Sequence, residues 1–189
     1  EALGGLPDDS PLRGVIHAAG TLRDQRTEAI DAQSLQLVLA SKWGVAQQLV
    51  ALRKQEPNHW KQLDFEVIFS SIAAGLGSPG QLVYGAANAA LESGCLQGSA
   101  LSPLTLAIQW GPWAGSGMAA GLERRFEAVG LKPLQDAEAL NALERLLQRG
   151  RSGVVTVMAA DWPRLASQAQ ARQASWFQAL FPEASGRSE

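Results

Sequence analysis

The sequence predicts an α/β protein built on a doubly wound parallel sheet with right-handed crossovers. Three features predict it. Four short apolar runs are continuous rather than alternating, as expected of parallel strands covered on both faces. The stretches between them carry apolar residues at three- and four-residue steps. Strand and helix signals then take turns along the chain. With 189 residues, 46% apolar and 18% charged, there is enough chain for one domain with a real core.

The first strand is "RGVIHAAG" (Arg13–Gly20). A helix follows from Ser34 to about Lys54, where Leu35, Val38, Leu39, Trp43, Ala46, Leu49 and Val50 mark one face expected to be buried. "FEVIFSS" (Phe65–Ser71) is the second strand, and a helix from about Val83 to Gln97 follows it, with Gly98 placed to stop it. "LTLAIQWG" (Leu104–Gly111) is the third strand. A helix over about Asp136–Gln148 shows periodic Leu140, Leu143 and Leu147, with Asp136 in position to cap it. "GVVTVMAA" (Gly153–Ala160) closes the series, and "PEASGRSE" reads as a frayed tail or linker.

As read, the sheet is incomplete. A dinucleotide-binding sheet has six or more strands, the first carrying a glycine-rich phosphate turn. No strand precedes Pro11, and "LGG" at Leu3–Gly5 follows no apolar strand and opens no long helix, so it is rejected as a phosphate loop. The strand at Val15–His17 is left with an unpaired apolar edge. The expectation is a C-terminal part of a larger unit: a lead-in over 1–10, the sheet and its helices over 11–165, and a C-terminal helix and linker over 166–189.

Several function classes are excluded by composition. A net charge of −2 offers no field for nucleic acid or an anionic membrane. No apolar run approaches the roughly 20 residues of a membrane span. The single cysteine, Cys95, fits a reducing, cytoplasmic setting. His17 sits on a strand and His59 in a loop with no further ligands near them in sequence, so no metal site is expected.

The chemistry gathers around "SPGQLVYGAANAALESG" (Ser78–Gly94), which holds the only tyrosine, Tyr84. Ser71 ends an apolar strand, where ligands of doubly wound sheets sit. Asn88 shares a helix face with Tyr84 at i, i+4 spacing. Lys42 is the one cation in "VLASKWGVAQQ". These groups suit carbonyl reduction: Ser71 hydrogen-bonds the ketone, Tyr84 protonates it, and Lys42 lowers the phenol's pKa from its ordinary value near ~10. Spacing alone leaves a second reading ahead, in which Tyr84 packs half-buried, Ser71 is a loop hydroxyl and Lys42 is solvated.

"GVIHAAG", "KWGVAQQL", "FSSIAAGLGSPGQLVYGAANAALES" and "LAIQWGPWAGSGMA" closely resemble the ketoreductase domain of modular type I polyketide synthases, a branch of the short-chain dehydrogenase/reductases with a Rossmann-like sheet. The likeness runs from about Pro11 to Trp162, with its blocks in family order. Ordinary short-chain reductases use Tyr-x-x-x-Lys; the polyketide branch places Asn after the tyrosine and brings the lysine from the preceding helix. The resemblance therefore implies that Tyr84 is the proton donor, Ser71 positions the ketone, Lys42 tunes the phenol and Asn88 orders the network. It implies cofactor contacts at Ala18, Ala19, Gly20, Ser70, Gly111, Pro112 and Trp113, with the core-filling role expected of Trp110 more than of Trp113. A substrate lid is implied over about 114–132.

Stereochemical type follows from the same resemblance. Leu22-Arg23-Asp24 stands in place of the Leu-Asp-Asp of members that give a D-configured alcohol. Leu76 occupies the position of the opposite class's tryptophan. Pro79 follows the D-type pattern, whereas Val83 replaces a frequent Asn, and Met118 lies among the substrate-contacting positions. The pattern assigns the D-type. Gln109 stands where the family often has Asn, and extra residues around "RKQEPNHWKQ" lengthen the Lys42–Tyr84 spacing on a polar loop, which loop closure tolerates.

The function implied is NADPH-dependent reduction of a β-ketoacyl chain held on an acyl carrier protein by phosphopantetheine, within a multidomain synthase. NADP(H) as cofactor comes wholly from the resemblance. The N-terminal remainder of the unit is a further implied partner. A non-catalytic structural domain and an epimerase of the same family stay open as alternatives.

Overall fold

A computed structural model describes residues 11–55, 60–96, 104–115, 118–119 and 121–168, with the side chains of 94–96 outside the description. The Leu3–Gly5 stretch, His59, Gly98, the Cys95 side chain, Ser116, Gly117, Ala120 and the C-terminal segment beyond Gln168 lie outside the described residues. The chain divides into two compact units, Glu1–Trp110 with Asn141–Thr156, and Gly111–Leu140 with Val157–Glu189.

The first unit carries a sheet of strands β1 (Gly14–His17), β2 (Phe65–Ser71), β3 (Thr105–Trp110) and β5 (Gly153–Val157), in the order β1-β2-β3-β5. β1 and β3 both run parallel to β2, with Ile16 opposite Val67 and Ser71 opposite Trp110. Every residue of β3 is buried, as its continuous apolar run requires. β1 stands at the edge with Ile16 49% exposed, so the predicted open apolar edge is present among the described strands.

The first helical run is longer and less regular than a single helix. It comprises α1 (Ala32–Leu39), a π-turn (Ala40–Gly44) and α2 (Val45–Gln55). Asp31 caps α1 by accepting from Ser34 N–H at 2.7 Å. The expected apolar face is corrected: Leu35, Trp43 and Val50 are exposed, and the buried positions are Ser34, Val38, Lys42 and Arg53. Periodicity assumes that cations face water, and here two of them occupy the buried stripe, displacing apolar residues to its flanks. Lys42 sits within the wide turn of this run.

Two helices follow β2. α3 (Ile72–Gly75) is a single turn, and α4 (Leu82–Leu96) matches the predicted helix. The two approach closely, since a Cβ at Gly85 would lie 2.8 Å from the Ala73 carbonyl oxygen. Val38, Ala73, Val83, Tyr84 and Ala87 form one buried cluster, and Leu22 packs against it.

In the second unit, α5 (Glu123–Ala128) and β4 (Leu131–Lys132) lie within the segment expected to form a lid. β4 pairs antiparallel with β6 (Ala159–Ala160), and α7 (Trp162–Gln168) follows. The helix α6 (Asp136–Arg149) matches its predicted span, yet two details differ. Asp136 is the first helical residue, and the cap is made by Glu138, whose carboxylate accepts from Gln135 N–H at 3.0 Å. Leu140 is 55% exposed while Ala139 is fully buried, so the predicted stripe fails at Leu140, whereas Leu143 and Leu147 are half-buried. Among the described residues no helix is long and apolar enough to cross a membrane.

Candidate active site

Ser71 is the last residue of β2 and caps α3, its Oγ accepting from Ala73 N–H at 3.2 Å. Because that oxygen is already accepting, its proton is free to be donated elsewhere. Tyr84 is the third residue of α4, its ring 7% exposed in the apolar cluster, with its hydroxyl near the side chains of Ser71 and Asn88. Asn88 is fully buried one turn further on, and its Nδ2 also donates to the Tyr84 carbonyl oxygen at 2.9 Å.

Lys42 is 2% exposed at the centre of the π-turn. Its Nζ donates to the Phe69 carbonyl oxygen at 2.8 Å and sits 5.7 Å from the centroid of the Tyr84 ring, within cation–π range. Among the described residues no carboxylate lies within ion-pair distance of it. Burial brings its pKa down from 10.5 to about 8. The backbone of the same residue is held from the sheet, where buried His17 hydrogen-bonds the Lys42 carbonyl oxygen through Nε2 at 3.1 Å. Burial lowers the His17 pKa, and a carbonyl partner can take the hydrogen bond only from the tautomer with its proton on Nε2.

Burial pushes the Tyr84 phenol above its ordinary value because a buried phenolate loses its water; the side chains of Asn88 and Ser71 pull it partly back, and the Asp24 charge raises it again. The Lys42 ammonium faces the ring and the Phe69 carbonyl oxygen. A weaker acid of this kind still suits protonation of an alkoxide, which is a far stronger base than a phenolate.

The loop carrying Asp24 is tied to the loop before Tyr84. Gln25 N–H donates to the Gly80 carbonyl oxygen at 2.9 Å, and Gln81 Nε2 donates to the Asp24 carboxylate at 3.1 and 3.3 Å. Leu76 is half-buried and Pro79 exposed on that second loop. Ala18 and Ala19 lie exposed just past the carboxyl end of β1, with Gly20 half-buried beside them. Ala18 and Ala19 add only methyl groups at this strand end, which leaves room for a flat nucleotide there. Ser70 offers nothing there, because its hydroxyl is directed to Glu92.

In the second unit, two backbone groups of the Gly111–Trp113 stretch are committed: Gly111 N–H donates to the Val157 carbonyl oxygen and the Pro112 carbonyl oxygen accepts from Leu134 N–H, each at 2.8 Å. Trp113 is half-buried and Met118 48% exposed. In the first unit, Trp110 is 5% exposed and packs its ring 5.4 Å from Phe69, the core role expected of it.

A cavity of about 510 Å³ opens elsewhere in the first unit, lined by His17, Trp43, Val50, Ile68 and Leu91 among others. Neither Ser71 nor Tyr84 lines it. Sequence reasoning missed two buried groups: the Arg53–Glu66 ion pair at 2.6 Å, and Glu92 with its hydrogen-bond partners. Glu92 could have been noticed, since it is the one charged residue in the span Leu82–Leu96.

Fold and site together define an α/β protein of doubly wound class with a hydroxyl pair and an ammonium at the carboxyl edge of its sheet. Comparison with known proteins narrows this. The KR domain family model matches residues 2–115, more than half of the chain. Component PikAII of the pikromycin polyketide synthase of Streptomyces venezuelae is 33% identical over 183 residues, 96% of this chain. A solved A-type ketoreductase from a modular polyketide synthase superposes with a TM-score of 0.78 at 28% identity over 90% of the chain. The first ketoreductase of the tylosin synthase does so with a TM-score of 0.73 at 35% identity over 92%. The chain belongs to the KR domain family, the ketoreductases of modular polyketide synthases within the short-chain dehydrogenase/reductase superfamily. It spans 5% of the PikAII component and 36% and 37% of the two solved structures.

Proposed function

We propose that this chain carries the catalytic groups of an NADPH-dependent reductase acting on β-ketoacyl thioesters presented by an acyl carrier protein, with a D-configured alcohol as product. One observation carries the reading. The Tyr84 hydroxyl lies within reach of the Ser71 side chain at the carboxyl edge of the sheet, beside a buried ammonium that, among the described residues, no carboxylate neutralises. Charges left unmatched at low exposure are costly and cluster at functional sites.

A reduced nicotinamide cofactor, when bound, supplies the hydride. Ala18, Ala19 and Gly20 would give it room at the end of β1, and Lys42 would face its polar groups. The ketone oxygen takes the place that Ser71 now shares with Tyr84. Ser71 donates a hydrogen bond that holds the oxygen and favours the negative charge developing on it. Tyr84 then gives its proton to that oxygen. Asn88 fixes the turn of α4 from which the ring projects. Asp24 accepts from Gln81, three residues before Tyr84, and its charge acts on the phenol, which supports the stereochemical assignment.

The open edge at β1 supports completion of the sheet by further strands, which would bring the remainder of the nucleotide site. The full-length protein is tested with NADPH and a diketide β-ketothioester, following NADPH consumption and the configuration of the alcohol on a chiral column. The D-configured product is expected. An L-configured product removes the stereochemical assignment, and no NADPH consumption removes the reductase reading itself.

A further inference from the structure

A second polar cluster lies directly beneath the site, and the proposed chemistry uses none of it. Glu92 on α4 is 9% exposed. Ser70 Oγ donates to its Oε1, and Gln109 Nε2 donates to both carboxylate oxygens, at 3.1 and 3.0 Å. The Gln109 Oε1 in turn accepts from Thr156 Oγ1 at 2.8 Å. Each bond orients the next, so the amide nitrogen faces Glu92 and the amide oxygen faces Thr156. The chain of bonds joins β2, α4, β3 and β5.

Two members stand one step from the candidate catalytic groups. Ser70 immediately precedes Ser71 on β2. Glu92 follows Tyr84 by eight residues, about 12 Å along the same helix. A third link runs through α3, the turn that starts at Ser71. A Cβ at Gly75 would meet Gln109 Oε1 at 2.9 Å, so α3 lies against the amide. Apolar side chains could fill this contact without burying a carboxylate that has no cation, and they would avoid its desolvation cost. An apolar contact, however, lets a helix slide. Hydrogen bonds confined to about 2.7–3.2 Å with fixed angles do not.

We propose that Glu92 and Gln109 are a positioning pair for the reaction: together they lock the axial register of α4 against β2 and so hold the Tyr84 hydroxyl at Ser71. The pair touches neither substrate nor cofactor, and its role rests on the reductase reading above. Q109E sets a carboxylate against a carboxylate and breaks the lock. E92Q/Q109E makes carboxylate and amide change places, leaving every donor with an acceptor.

The test uses the full-length protein, NADPH and a diketide β-ketothioester, with the folded fraction measured alongside. Q109E is expected to lower kcat roughly 10- to 100-fold at unchanged KM, the size of loss that a displacement of about 1 Å brings. E92Q/Q109E is expected to restore most of that kcat. A purely structural role would lower the folded fraction and leave kcat per folded molecule untouched, and that result overturns the proposal. So does a folded E92Q/Q109E that stays as slow as Q109E. Should Q109E not fold, Gln109→Leu removes the link without adding charge, and a wild-type kcat in it is equally fatal. Failure of the underlying reading looks different: wild type and Tyr84→Phe are then alike inactive, and the positioning role falls with it. A wild type that turns over, an inactive Tyr84→Phe and an unaffected Q109E overturn the positioning role alone.

Discussion

Lys42 and Arg53 are buried cations on the same helical run, and the molecule treats them in opposite ways. Arg53, 6% exposed, has a carboxylate at 2.6 Å in Glu66 and lies 4.9 Å from the centroid of the Trp60 ring. Glu66 is near the amino end of β2. Lys42, 2% exposed, meets a carbonyl oxygen and a phenol ring near the carboxyl end of the same strand. A matched buried charge keeps a fold intact when left alone and damages it when halved. An unmatched one raises the energy of the empty site and lowers it when a suitable partner arrives. One strand thus carries a structural ion pair at its beginning and a chemical group at its end.

That contrast can be broken first at Tyr84. Tyr84→Phe deletes the proton donor and is expected to cut turnover by a factor of about 10²–10⁴. The denaturation midpoint should move little, since one hydrogen bond contributes only about 1 kcal/mol. Near-normal turnover in this variant would remove the tyrosine from the mechanism.

Arg53→Ala should do the reverse. It strands Glu66 without its cation, and a loss of about 3–5 kcal/mol is expected in urea unfolding. Activity per folded molecule should stay close to that of the wild type. A large loss of turnover at full folding would show that the two ends of the strand are not separable.

The smallest effect concerns Lys42 and pH. Its folded pKa of about 8 lies below the unfolded value near 10.5, so the unfolded chain binds the proton more tightly. Stability therefore rises as pH climbs from about 8 to 10.5, by up to about 3 kcal/mol for this one group. Below pH 8 the full cost of burying the ammonium is present. Lys42→Met should abolish this rise, should be the more stable protein at neutral pH, and should be the slower enzyme. A wild type and a Lys42→Met variant with parallel stability–pH curves would refute the unmatched state of the ammonium.

Much of this was legible in sequence. Continuous apolar runs placed β2 and β3 within a residue of their true limits, although each strand also buries polar side chains, Glu66 and Ser70 on β2 and Thr105 and Gln109 on β3. Ser71, Tyr84, Lys42 and Asn88 were picked out through the family resemblance, spacing alone favouring the packing reading, and the fold brings them near one another. The misdrawn helix face has one cause. Hydrophobic periodicity assigns charges to water, and Lys42, Arg53, Glu66 and Glu92 are all buried. The stripe on the first helical run was therefore drawn through Leu35, Trp43 and Val50, beside its true line. Spacing also places an ammonium near a phenol without saying whether it faces the ring or the oxygen, and here it faces the ring.

The π-turn at Ala40–Gly44 has a bearing on how this chain tolerates length changes. Removing one residue from it would restore regular winding, leave the flanking turns close to their present register and re-aim the residues of the turn itself, Lys42 among them. The polar stretch around Arg53–Gln62 can take extra residues at little cost. A length change between the lysine and the tyrosine is thus cheapest in that loop, whereas a single deletion in the turn acts directly on the ammonium.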